Sequence, residues 1–366
     1  MQTRTMPMVL RSRLYLLKEN LPDSITGLTE VTEIYAMAQE AAFIDAEHYA
    51  VGRWDGSLSI FKVKESAYYG PVIVKAVNGP AQEGIQMLTS LYISSQKGFV
   101  SSNSEDSIAV WQLEDLQDWA NLGTPKVVKY SGEYGVANRG ILITANGKTY
   151  VVIGHSNGYI SVWLLSGNNA DLTFVNGIDI RSEHPVNPWD LHNIRGLADL
   201  GGGCVAAGSE DGNLTVVRIP DGKILSAAVY NPDAQRGINN IAYQNGILLV
   251  ANCAVGDSDN NLWSYKLNSE TFQFELADKV WLKIDEMHQQ VFNFDVIFDP
   301  EAKGIFYSST EEGALWKGKV NEMGKLSELE YMIVTDELGS ALCMKSGILA
   351  VASYNIKEFL TEGGAL

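Results

Sequence analysis

The chain has 366 residues, with 44 acidic and 27 basic side chains, so its net charge is −17 at pH 7. This excess of acid opposes binding to nucleic acid and adhesion to anionic membranes, because both depend on Lys and Arg. Hydrophobic residues make up 46% of the chain, which suffices for a large core, and no apolar run approaches the length of a membrane span. We therefore expect neither nucleic acid nor a membrane as a direct partner.

The N-terminal residues 1–28 are predicted to form a leader outside the main domain. The segment is basic at its start, with Arg4, Arg11 and Arg13 and no acidic residue before Leu17. A transit peptide has a similar character, but the segment is poor in Ser and continues into strand-like sequence, which favours an ordinary basic leader.

Three five-residue windows then share a Gly-x-x-x-Gly skeleton, each between two apolar, strand-like runs. They are Gly52–Gly56, Gly154–Gly158 and Gly208–Gly212. Asp or Asn stands directly before the second glycine, and these residue types tolerate the positive φ of a tight turn. The windows predict three hairpins of one kind.

Weaker copies of the same hairpin fill the rest of the chain. The last large residue of the second strand recurs at a spacing of about 50 residues, at Phe61, Trp111, Trp163, Val217 and Tyr265. Two further copies cover Gly304–Trp316 and Gly347–Phe359. We expect an all-β fold in which residues 29–366 form a single propeller of about seven four-stranded blades.

Each unit also contains a strand before and a strand after the hairpin. Examples are Ile141–Thr144 and Ile238–Tyr243 before it, and Val127–Tyr130 and Ile224–Ala227 after it. A helical turn or two is expected near Met287–Phe292. The last unit lacks an outer strand, and we expect the N-terminal run Val31–Met37 to complete that blade, because an open blade exposes unpaired edges.

Two of the copies, Ser102–Trp111 and Ala207–Val216, resemble the WD-repeat family in its second strand, Asp-bearing turn and third strand. The likeness covers most of the chain as a pattern and is specific in the second to fourth units. It implies a propeller. From the repeats and the hydrophobic content, we expect Trp111 and Trp163 to pack between neighbouring blades. The likeness also implies a partner-binding face on the side of the Asp-bearing turns. The family's Gly-His dipeptide before the first strand and its Trp-Asp at the end of the third strand are absent from those positions, and with them the signal for its His–Ser–Asp–Trp hydrogen-bond network.

Three consecutive units carry an Arg-Gly dipeptide before the innermost strand, with Arg139, Arg195 and Arg236. If these positions are equivalent, the three guanidinium groups lie on one circle around the channel mouth. Their fork-shaped donors suit carboxylate or phosphate groups of a ligand. Alternatively, each arginine pairs with an acidic turn residue such as Asp106 or Asp211.

The long connection Ser182–Asn193 is expected on the same face. Long loops on a rigid scaffold often carry function, and Trp and Arg dominate interface energetics, so Trp189 is a candidate apolar anchor. The same loop could instead fold back as a lid over a gap between blades.

These features predict a non-enzymatic protein-interaction scaffold that binds partner proteins, including acidic segments or C-terminal carboxylates, near Arg139, Arg195, Arg236 and Trp189. One alternative is a propeller hydrolase or lyase acting on an anionic small molecule, with a base from His184, Asp190 or His192. Another is a structural subunit of a large assembly, whose interface would lie on the side of the ring.

No cofactor and no metal site are predicted. His184 and His192 share one loop, but no histidine stands at a recognisable metal-ligand spacing. The window Gly154–Gly158 matches a nucleophile elbow, yet a strand follows it where that motif requires a helix. Cys204, Cys253 and Cys343 lie in apolar, strand-like runs, which predicts free thiols in a reducing compartment, the cytoplasm.

Overall fold

The computed structural model describes residues 4–5, 12–13, 37–53, 56, 58–63, 68–72, 88–93, 96–104, 106–112, 125–166, 171–184, 191–231, 236–255, 260–284, 290–334, 341–353 and 356–361. In these residues the chain is all-β, with two short 3₁₀ turns, η1 (Gly132–Tyr134) and η2 (Arg181–Glu183). No helix among them is long and apolar enough to cross a membrane.

Two very short strands come first, β1 (Arg4–Thr5) and β2 (Ser12–Arg13). Four antiparallel sheets of four strands each then follow in chain order. Sheet I contains β3 (Ala38–Phe43), β4 (His48–Arg53), β5 (Leu58–Lys62) and β6 (Tyr68–Val72). Sheet II contains β7 (Leu88–Ile93), β8 (Gln96–Ser104), β9 (Ser107–Gln112) and β10 (Lys126–Lys129). Sheet III contains β11 (Ala137–Ala145), β12 (Lys148–His155), β13 (Tyr159–Ser166) and β14 (Asp171–Asp179). Sheet IV contains β15 (Ile194–Gly201), β16 (Cys204–Ser209), β17 (Asn213–Arg218) and β18 (Lys223–Val229).

The next strands follow the same order with one addition. Sheet V contains β19 (Ile238–Gln244), β20 (Ile247–Val255), β21 (Leu262–Leu267) and β22 (Phe274–Val280). Sheet VI contains β23 (Gln290–Phe298), β24 (Ile305–Thr310), β25 (Ala314–Val320) and β26 (Leu326–Ile333). The end of β20 pairs with the start of β23, which joins sheets V and VI, together with β1, into one nine-stranded sheet. Sheet VII contains β27 (Ala341–Lys345), β28 (Ile348–Ala352) and β29 (Ile356–Leu360), with β2 on its outer edge.

The second and third strands of each sheet are buried on both faces. In sheet III, for example, β12 and β13 are buried over Tyr150–His155 and Ile160–Trp163, whereas the outer strand β14 is largely exposed. Strands covered on both faces favour continuous β-branched and apolar runs over strict alternation. This is why the hairpin pattern is the strongest signal in the sequence.

In the described residues, the hydrophobic core is divided into seven clusters, each lying between two neighbouring sheets. Trp111 packs with residues of sheets I and II, and Trp163 packs with residues of sheets II and III, which confirms the predicted placement of both indoles. Another cluster joins Phe43 and Tyr49 of sheet I to Ile348 of sheet VII. The first strands contact one another in order from β3 through β7, β11, β15, β19 and β23 to β27, and β27 contacts β3.

The two glycines of each Gly-x-x-x-Gly window have different roles. The second glycine, Gly158 in sheet III, has a φ of 75° and closes the turn by donating its N–H to the carbonyl of His155 at 3.3 Å. The first, Gly154, lies against sheet IV, where an added Cβ would come within 2.4 Å of Cγ2 of Ile194. A hairpin turn and a close approach between sheets therefore explain the skeleton.

Of two further local predictions, one is wrong and the other falls mostly outside the described residues. The helical turn expected near Met287–Phe292 is wrong where it can be checked, because Gln290–Phe292 belongs to strand β23. The predicted closing strand Val31–Met37 lies outside the described residues except for Met37, which is not in a strand. In sheet VII the edge of β29 is paired instead with Ser12–Arg13.

Candidate functional site

The first strands of the sheets surround a cavity of about 320 Å³. Its lining comes mainly from the first strands of six sheets (β3, β11, β15, β19, β23 and β27). Two further residues are Glu210, in the turn after β16, and Cys253, in the second strand β20. The charged members of the lining are Glu40, Arg139, Arg195, Glu210 and Asp295, and its aromatic members are Phe292 and Phe294. Side chains from six of the seven sheets therefore converge on this cavity.

A β-bulge near the start of the first strands sets which side chains face this cavity. In sheets I, III and VI the residue after the bulge is Glu40, Arg139 and Asp295, respectively. Glu40 and Arg139 lie opposite the first glycine of their windows, Gly52 and Gly154. An extra residue in one strand redirects the side chains that follow it, so charged groups can point into the centre.

These three charged residues form an ion-paired network across the cavity. Nη1 of Arg139 donates to Oε2 of Glu40, and Nη2 lies 3.7 Å from Oδ1 of Asp295. Nε of Arg139 donates to the backbone carbonyl of Arg195 at 3.0 Å. Asn240 of sheet V also donates to Oδ1 of Asp295. The guanidinium of Arg139 is thus surrounded by acceptors of this chain.

Burial shapes the electrostatics of the network. It lowers the pKa of Arg139, and the charge of Asp295 acts in the opposite direction. Burial raises the pKa of Asp295, while the guanidinium and the hydrogen bonds from Leu342 and Asn240 oppose that rise. A buried charge is costly unless it is paired and hydrogen-bonded, and here each charge has a partner.

Arg195 lies nearer to solvent and pairs with one acidic residue of the part of the chain that the structure describes, Glu210. Its Nε and Nη2 donate to the two carboxylate oxygens of Glu210 at 3.2 and 3.4 Å. The exposed fractions of the two side chains are 35% and 31%. Asn193 also donates to Oε2 of Glu210 at 3.0 Å. This pair combines a partly exposed guanidinium with a place in the cavity wall.

The predicted equivalence of the three Arg-Gly dipeptides is wrong in register. Arg139 follows the bulge of its strand, whereas Arg195 is itself the bulge residue between Ile194 and Gly196. Arg236 comes before strand β19 and is not among the residues that line the cavity. Sequence spacing cannot show a bulge, so dipeptides that align in the sequence occupy different positions in the sheets.

The remaining predicted site residues fall on the long connection before β15. Trp189 and Asp190 lie outside the described residues. His184 and His192 are described, and both approach Asp211 in the turn between β16 and β17 without lining the cavity. The binding role of the arginines and of Trp189 stays a prediction.

A hydrogen-bond network around Asp211 was missed by the sequence reasoning. Nδ1 of His184 lies 2.7 Å from Oδ2 of Asp211, and Oγ of Ser209 donates to Oδ1. His184, Ser209 and Asp211 thus form a His–Ser–Asp hydrogen-bond network, and the last large residue of the hairpin's second strand is Val217 rather than Trp. Because the histidine is not preceded by Gly, the family signal was absent, although an Asp in the turn and a His before the first strand were visible.

No protein-family profile and no curated protein sequence matches the chain. Solved structures do match in three dimensions. The β-propeller domain of Cps50 (Swd1) from Myceliophteria thermophila has a TM-score of 0.58 at 13% identity, covering 88% of this chain and 97% of that one. The computationally designed protein Ika8 has a TM-score of 0.54 at 16% identity, covering 88% of this chain and 83% of its own. At these identities the likeness concerns the fold alone, and this chain has an all-β, propeller-like fold of small antiparallel sheets.

Proposed function

We propose that this protein is a non-enzymatic protein-interaction module, built as a closed propeller of seven four-stranded blades that correspond to sheets I–VII. The cluster between sheets I and VII supports closure, as does the contact between β27 and β3. Two polar contacts join the same sheets: Tyr49 donates to Glu358 at 2.7 Å, and the N–H of Ala38 donates to the carbonyl of Ser353 at 3.1 Å. The ring presents a rigid face around the cavity.

The proposal is supported mainly by a difference in exposure and in carboxylate partners between Arg139 and Arg195. Arg139 is 15% exposed and pairs with two carboxylates, Glu40 and Asp295, so its charge is compensated within the protein. Arg195 is 35% exposed and, among the described residues, has a single acidic partner at 3.2 Å, Glu210, which is itself 31% exposed. An exposed ion pair of this kind contributes little to stability, about 0–1 kcal/mol. A carboxylate of a partner can therefore replace Glu210 at little cost to the fold.

The proposed ligand is an acidic segment or a C-terminal carboxylate of a partner protein, bound at the cavity mouth. Arg suits this role because its planar group can donate two parallel hydrogen bonds to one carboxylate. The rings of Phe292 and Phe294 in the cavity wall add apolar contact area next to it. The net charge of −17 favours proteins over nucleic acid and membranes as partners, and three free thiols favour a cytoplasmic location.

The test is a charge reversal at Arg195 with a matched control. Arg218 also pairs with a carboxylate, Asp221; this pair is more exposed, at 46% and 48%, and lies at the opposite end of sheet IV. Partners captured from a native extract by the wild type and by Arg195→Glu and Arg218→Glu are identified by mass spectrometry. We expect proteins that Arg218→Glu retains and Arg195→Glu loses, with unchanged melting temperatures. Equal capture by both variants would contradict partner binding at the cavity beside Arg195 and Glu210.

A structural-subunit function has one observation in its favour. Phe174 on β14 and Leu276 on β22 are large apolar side chains that are 47% and 53% exposed. Both strands are the outer strands of their sheets. Large apolar side chains exposed on edge strands are suited to a lateral interface. If Phe174→Asp and Leu276→Asp lose the captured partners while Arg195→Glu keeps them, the side surface carries the interaction.

A further inference from the structure

Three side chains of metal-ligating types meet between sheets III and IV, and none of the three lines the cavity. His184 follows η2, His192 precedes β15, and Asp211 stands in the turn between β16 and β17. One nitrogen or oxygen atom from each residue lies within 4.8 Å of the corresponding atoms of the other two. The two histidines are eight positions apart, and only the fold brings the carboxylate to them.

The carboxylate is held in place as a metal ligand requires. Asp211 is fully buried, and Oδ1 accepts hydrogen bonds from Oγ of Ser209 and, at 3.1 Å, from the N–H of Asn213. Oδ2 of the same carboxylate faces both imidazoles.

The two imidazoles approach the same oxygen to different extents. Nδ1 of His184 lies 2.7 Å from Oδ2 of Asp211 and Nδ1 of His192 lies 3.8 Å from it. His184 is almost completely buried, and its Nε2 has no hydrogen-bond partner among the described residues. Its tautomer is thus set from one side only. His192 is 22% exposed and forms the solvent side of the cluster.

From this arrangement we propose that His184, His192 and Asp211 bind a divalent transition-metal ion, with Zn²⁺ as the best-suited ion. Two imidazoles and one carboxylate are a ligand set that Zn²⁺ takes at about 2.0–2.2 Å, with a fourth position left for water. Nδ1 of each histidine and Oδ2 of Asp211 supply the lone pairs. The proton that Nδ1 of His184 shares with Asp211 moves to Nε2 of the same ring.

Binding requires only a small local movement. Ligand atoms at about 2.05 Å in a tetrahedral site are about 3.3 Å apart, so His184 and Asp211 must separate by roughly half an ångström from their 2.7 Å contact. His192, at 3.8 Å from Oδ2, must approach by a similar amount. The bond between His184 and Asp211 is structural on its own, and His192 is the residue that turns it into a metal site.

The test uses Zn²⁺ titration by calorimetry and Co²⁺ absorption on the 366-residue chain. We expect one ion per chain, d–d bands of a four-coordinate nitrogen and oxygen site, and no thiolate charge-transfer band from the cysteines. His192→Gln should weaken binding at least tenfold while leaving the His184–Asp211 bond and the fold intact.

The matched control is His48→Gln. His48 also contacts a carboxylate, Asp45, at 3.0 Å, and neither residue belongs to the three-residue cluster, so this variant should bind like the wild type. Absence of one-to-one binding, equal affinity in His192→Gln, or a thiolate band would each overturn the proposal. Because Arg195 is not a ligand, Arg195→Glu should keep metal binding, which separates this site from the proposed partner site.

Discussion

The guanidinium of Arg139 on β11 donates to the carboxylate of Glu40 on β3, and this ion pair crosses the central cavity between sheets I and III. The two residues are 99 positions apart, and their sheets are not consecutive in the chain. The same guanidinium lies 3.7 Å from Asp295 of sheet VI. One side chain therefore links three sheets whose hydrophobic contacts with one another are otherwise indirect.

This position predicts a large loss of stability in Arg139→Met. Removing one partner of a buried ion pair leaves uncompensated charge, which costs about 3–5 kcal/mol in the free energy of unfolding. Denaturant unfolding at neutral pH measures it. Arg218→Met, at an exposed pair, should cost about 1 kcal/mol or less. Adding Glu40→Gln and Asp295→Asn to Arg139→Met should recover part of the loss, and a double or triple variant that is no more stable would contradict the network.

The stability of the fold should depend on pH through His155. Burial lowers the pKa of His155 to about 3, while its ring contacts Ser161 at 2.7 Å and Tyr130 at a centroid distance of 4.6 Å. Because the folded-state pKa lies below the ordinary value near 6.5, the histidine contribution is fully present above pH 6.5. It is lost as the pH falls toward 3, by about 1.4 kcal/mol per unit.

The measurement compares unfolding free energies of the wild type and His155→Gln at several pH values between 7 and 4. Carboxylates titrate in both proteins, so the difference between the two curves isolates the imidazole. We expect His155→Gln to be less stable at pH 7 and to lose less stability on acidification. Parallel curves would show that the buried ring does not resist protonation.

Packing between sheets III and IV predicts that Gly154→Ala is destabilising although its backbone is not in the left-handed region. The added Cβ would lie 2.4 Å from Cγ2 and 2.9 Å from Cβ of Ile194. Overpacking of this kind costs about 1–3 kcal/mol. Gly132→Ala serves as the control, because its nearest neighbour, Cβ of Asp106, is 4.0 Å away. Equal melting temperatures of both variants would argue against the close approach of the two sheets.

The indole of Trp163 should be one of the largest contributors to the core between sheets II and III. It is 3% exposed, and its Nε1 donates to Oγ of Ser161 at 2.9 Å. Trp163→Ala should lower the free energy of unfolding by about 3–5 kcal/mol. Trp163→Phe keeps most of the apolar volume and should lose less. A Phe variant as unstable as the Ala variant would place the main contribution in the hydrogen bond.

The sequence by itself determined the repeating hairpins and the inner strands of the sheets. Gly154–Gly158 and Gly208–Gly212 could be interpreted as turns because positive φ and close packing both demand glycine, and such demands are local. Trp111 and Trp163 could be placed between sheets because neighbouring sheets cover both faces of an inner strand. An indole on such a strand therefore packs against one of those sheets. Residues near Gln290 were wrongly expected to be helical, since periodicity in a short apolar run does not separate strand from helix.

Only the tertiary structure decided what the charged residues do. The bulges in β11 and β15 put Arg139 and Arg195 at different positions, one neutralised inside the cavity and one at its mouth. The meeting of His184 and His192 with Asp211 likewise depends on the packing of sheet IV against the preceding loop. A bulge or a loop contact leaves no period in the sequence, because it depends on which distant strand lies opposite, and that is settled only when the sheets pack.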